Sequence, residues 1–227
     1  RDEVIRGVLG AEAAAYAGDL SSPDFKAQSR EILSRPALYV RLSQRDAVNR
    51  EAQLRASGES GKDAFLSCFV APPEKRDEKS LLVRVRAVYG GEALRQPELA
   101  RFDRVYDVFF TASYSSATWR KQIESAESER DVLRLERHLK DAHLERTRDA
   151  AGASLLVALI DEAKEPGAPL EIDGAHRHWA RVIVVDLATR EVLFRARRLL
   201  DPAWISEGTR VRYALGLDAC RLGSELR

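Results

Sequence analysis

Methionine is absent from this 227-residue chain, cysteine occurs only twice, and lysine is outnumbered by arginine seven to 30. Two cysteines exclude a disulfide-dense scaffold and allow at most one internal bridge. No apolar run approaches the ~18 to 20 residues that a membrane-crossing helix needs. Excess charge of one sign is lacking as well: 37 basic against 36 acidic residues leave no field to draw the chain to nucleic acid or to an anionic membrane. The catalytic signatures G-x-S-x-G, G-x-x-x-x-G-K-[ST], H-E-x-x-H and C-x-x-C are missing, so no cofactor is expected. Because the first residue is Arg and no Met follows, the expectation is a processed or trimmed product, with a signal peptide or lipid anchor lying outside this stretch.

What is present is the composition of an ordinary globular protein, 44% hydrophobic and 32% charged, with enough chain for a full core. The reading is one domain over 1–227, with a subdivision near residue 118 separating 1–118 from 119–227. The organising stretch is RVIVVDLATREVLFRAR, Arg181 to Arg197. Val182 to Val185 is a continuous β-branched run, as in a strand buried on both faces, and Val192 to Arg197 alternates as a half-exposed neighbour does. Ahead of it, SLLVALI (Ser154 to Ile160) is another buried strand, and Ala37 to Leu42 a shorter one.

Helical spacing predicts helices over 2–17, 23–34, from Ser43 to Gly58, and over 205–227. In the last of these Val211, Leu215, Ala219, Leu222 and Leu226 form the main apolar face, and Tyr213, Leu217 and Cys220 a minor one. Alternation predicts strands over AFLSCFVA (64–71), LLVRVRAVY (81–89) and 104–112. From Trp119 to Ala151 nearly half the residues are charged and the apolar stripe is narrow, which predicts one long helix along or beyond an edge of the sheet. The fold class is therefore α+β: a mostly antiparallel mixed sheet with flanking helices and one long charged helix.

The order of strand, hairpin and amphipathic last helix, together with ALYVRLSQRDAVNREAQL, resembles the α/β modules of bacterial envelope proteins, of the TolB amino-terminal domain and curli-secretion lipoprotein type. Those families carry a strand of the form V-x-V-x-D-x-x-T-G-E-V before the last helix, matched here by Val182, Val184, Asp186, Thr189, Glu191 and Val192. Arg190 stands where they have Gly, and a turn requiring a left-handed residue would strain it by roughly 1 to 2 kcal/mol. The resemblance covers at most about 95 residues and leaves 60 to 150 unaccounted for. It implies a non-enzymatic periplasmic or outer-membrane-associated module, with another envelope protein or a second copy of the chain as partner.

Four groups of residues carry chemistry. His176 and His178 share a strand face, and with Asp173 they would form a metal site for a hydrolase, the alternative to the binding reading. Asp161 and Glu162, at the end of SLLVALI, form an acid pair. Tyr114 and Trp119, flanked by Ser and Thr, are a candidate ligand surface. Cys68 points into the core from its strand and Cys220 lies on the minor face of the last helix, so a Cys68–Cys220 disulfide is expected in an oxidising compartment.

Overall fold

The computed structural model describes residues 1–91, 96–140, 144–165, 170 and 176–226. Six strands form one mixed sheet: β1 (Leu20–Ser21), β2 (Ala37–Ser43), β3 (Phe102–Arg104), β4 (Leu155–Glu162), β5 (His178–Asp186) and β6 (Val192–Leu200). Their order is β1-β6-β5-β4-β2-β3. The β1, β6, β5 and β4 pairings are antiparallel, whereas β2 runs parallel to both β4 and β3. β4 and β5 are central, and every residue of β4 is buried. Val184 is fully buried, as the β-branched run of the hairpin requires.

Helices cover both faces. One is packed by α2 (Pro23–Ile32), α4 (Ala64–Val70) and α10 (Glu207–Glu225), which bring Phe25, Phe65, Phe69 and Leu222 onto Val157, Leu159, Val182 and Val184. The other is packed by α1 (Asp2–Ala14), α3 (Arg50–Glu59) and α6 (Val105–Ser113), which set Ile5, Leu9 and Phe109 against Leu156, Ile160 and Ile183. A third layer, α5 (Glu78–Tyr89), lies outside α4 and α10, where Leu81 and Val85 meet Cys68, Leu217 and Cys220.

Three segments expected as strands are helices, and for two of them aspartate caps explain why. Asp63 accepts from Leu66 N at 2.9 Å and Asp77 from Ser80 N at 3.0 Å, so α4 and α5 each begin on an aspartate N-cap. In LLVRVRAVY the buried pair is Leu81 and Val85, four apart, while Val83, which strand alternation puts with them, is 68% exposed. All of Ala64 to Phe69 is buried, so α4 shows no polar face to mark it as helical. In 104–112 only the start is extended; Val105, Val108 and Phe109 then bury one face of α6.

The single long helix over 119–151 is replaced by α7 (Ala117–Glu124), α8 (Glu129–Lys140) and α9 (Leu144–Gly152). Ser128 ends the continuity by capping α8: its Oγ accepts from Asp131 N at 3.2 Å and donates to the Asp131 carboxylate at 2.6 Å. Both expected faces of α10 are buried in its second half, Ala219 and Leu222 against the sheet and Leu217 and Cys220 against α5, whereas Val211 of the expected main face is 86% exposed.

Candidate functional site

Alternation along β4 sends Asp161 to one face of the sheet and Glu162 to the other, at the carboxyl end of the parallel β2–β4 pair. In sheets with parallel strands this end is where crevices form. On the α4 and α10 face a cavity of about 330 Å³ opens over Arg41, Ser60, Asp63 and Asp161. Arg41 forks onto Asp161, Nε to Oδ2 at 2.8 Å and Nη2 to Oδ1 at 3.0 Å, and its Nη1 lies 3.6 Å from Asp63. Tyr39 donates to Asp63 at 3.0 Å, and Ser60 Oγ accepts from Arg41 N and donates to Arg41 O. Behind them His178 Nε2 sits 3.3 Å from Asp161 Oδ1.

Burial pushes Asp161 up, but Arg41 and His178 outweigh it and hold the carboxyl below its ordinary range. Burial pulls His178 down, yet its bond and charge interaction with Asp161 leave it raised. Asp63 is raised, because burial exceeds what Arg41 and the Leu66 amide restore. Tyr39 is raised well above the phenol range by burial and by Asp63. Asp161 and His178, with side chains 1% and 2% exposed, therefore brace the sheet from within. Asp63 and Arg41, 26% and 15% exposed, are what the cavity presents to an entering group.

Of the residues singled out from sequence, His178 is committed inward, and its Nδ1 lies 3.2 Å from the backbone carbonyl of His176. His176 is exposed, and Asp173 lies outside the described residues. Among the described residues no three His, Cys, Asp or Glu side chains group so as to hold a metal ion. Tyr114 and Trp119 pack edge to face at 4.8 Å, and both rings meet His138, so these half-buried aromatics tie α6 and α7 to α8. Cys68 and Cys220 form a disulfide between α4 and α10.

No family model, curated protein or solved structure matches this chain. The geometry therefore stands alone. Asp161 and Glu162 were visible in sequence as acids ending an apolar strand. Their partners, Arg41 within ALYVRLS and Arg181 before VIVV, were missed, although a lone arginine inside a buried apolar run is itself the signal of an internal ion pair.

Proposed function

We propose that the protein is a non-enzymatic binding or assembly module of the bacterial cell envelope, periplasmic or attached at the outer membrane, whose partner is another envelope protein or a second copy of the chain. The observation that supports this reading is the buried Cys68–Cys220 bond, which joins residues 152 apart and is of a kind that persists mostly in oxidising compartments. None of the described helices is long and apolar enough to cross a membrane, which agrees with a folded body outside the bilayer. The burial of the strand-end acids in ion pairs favours binding over turnover. The test takes the protein from its native cells with thiols blocked at lysis. An oxidised protein in the envelope fraction, cross-linked reproducibly to one envelope protein or to itself, is expected. Two free thiols on a cytosolic protein would overturn the assignment.

A further inference from the structure

On the opposite sheet face, below the end of α1, the balance of buried charge does not close among the described residues. Arg181 on β5 and Arg197 on β6 are direct cross-strand partners, an arrangement of like charges that sheets disfavour. Tyr16, just past α1, lays its ring against Arg181, Arg197 and Arg195, at 5.1, 5.6 and 6.0 Å from their guanidinium carbons. Arg195 is neutralised by Glu12 at 3.0 Å. Arg181 and Arg197, however, share the single carboxylate of Glu162, at 2.6 and 2.8 Å.

Two guanidiniums against one carboxylate leave one positive charge, and a guanidinium cannot shed its proton to escape the cost of burial. The Arg181 side chain is only 2% exposed, and that of Arg197, 30% exposed, leads out to the cavity. Its Nε and Nη1, and Nε of Arg197, meet no acceptor among the described residues. These groups line a cavity of about 250 Å³ together with Tyr16, Gln44 and, at its exposed mouth, Lys164 and Glu165, whose opposite charges offset each other. A buried cation with idle donors beside an open volume offers a place to a further anionic oxygen.

We propose that this cavity binds an oxyanion, a carboxylate or phosphate group of a partner molecule, with Arg181 and Arg197 as donors, Lys164 at the mouth and Tyr16 as one wall. The proposal deepens the binding reading by naming the chemistry the partner brings. It is tested on the purified full chain alone, so its failure leaves the envelope assignment standing and failed cross-linking leaves it untouched. Calorimetry and thermal melts would follow titration with inorganic phosphate in one arm and succinate in the other, in chloride at constant ionic strength. Saturable binding with a rising melting temperature is expected, and the stronger arm identifies the group. Arg181→Gln should weaken it at least about tenfold and Lys164→Ala by a smaller factor. Ala163→Leu narrows the cavity with every charge in place, and should lose binding while keeping the wild-type circular dichroism. It decides the matter if Arg181→Gln does not fold. No saturable binding of either anion, or wild-type affinity in Ala163→Leu, overturns the proposal.

Discussion

Arg190 is the one non-glycine residue with positive φ among the described residues, at 65°, and its neighbours dictate that conformation. Asp186 accepts from Ala188 N at 2.8 Å and Thr189 N at 3.2 Å through its side chain, and from Arg190 N at 2.8 Å through its carbonyl. So tight a turn must reverse through a left-handed residue before Glu191 can pair back with Asp186. Arg190→Gly should stabilise the fold by about 1 kcal/mol in chemical denaturation, whereas Arg190→Ala, which keeps a Cβ, should change it little. Asp218 carries a different strain. Burial raises its carboxyl to about 6 against the lowering effect of the Trp204 Nε1 bond, 2.6 Å long. A raised acid contributes stability that is complete below its ordinary 3.8 and is lost as pH climbs through about 6. His178, also raised, loses its contribution higher still, above 6.5, while the lowered Asp161 works in the opposite sense at the acid end. Asp218→Asn keeps the acceptor for Trp204 and removes the titration. Melts should show it more stable than wild type by about 2 kcal/mol near pH 8 and equal to it near pH 3.

At the scale of elements, α4 and α10 approach so closely that only glycine fits between them. A Cβ on Gly223 would lie 2.6 Å from the Phe65 carbonyl oxygen and 2.8 Å from Phe69 N, both backbone atoms unable to step aside. Gly223→Ala should therefore cost about 3 kcal/mol, lowering the melting temperature by roughly 6 to 12 °C. Gly208→Ala in the same helix meets nothing within 4 Å and should be neutral or gain up to ~1 kcal/mol from helix propensity. This junction also marks what could and could not be read from the residues. β2, β4, β5 and β6 were legible because their sequences are continuous or alternating apolar runs, α1 because its apolar spacing is plain, and α2 because Ser22 and Pro23 mark its start. AFLSCFVA reads equally as strand or helix, since a segment buried all round has no period, and its helical state is decided by Asp63 and by the α10 surface it fills. At the site, the acids were legible from position, but the arginines that complete them come from strands 120 and 19 residues away in sequence, so their pairing is a product of topology.

For the whole molecule the disulfide is the main long-range tie, joining the first third of the chain to its end. The Cys68–Cys220 pairing was correctly expected, although Cys68 reaches its partner from a helix and not from a strand. Closing a 152-residue loop is worth up to about 5 kcal/mol in the chain-entropy model, so a Cys68→Ser, Cys220→Ser variant should lose several kcal/mol in urea titration, and reducing agent should lower the wild type to the same level. The bond also divides the chain mechanically. Pulled by its two ends in an optical trap, the oxidised protein can pay out only the segments before residue 68 and after residue 220, about 260 Å of contour at full extension. Strands β3 to β6 lie inside the covalent loop and carry no tension, whereas β1 and β2 precede Cys68 and are drawn out with the first segment. Adding reductant under load should release a further ~500 Å in a single late step, a stored length that makes the redox state of one bond readable as a distance.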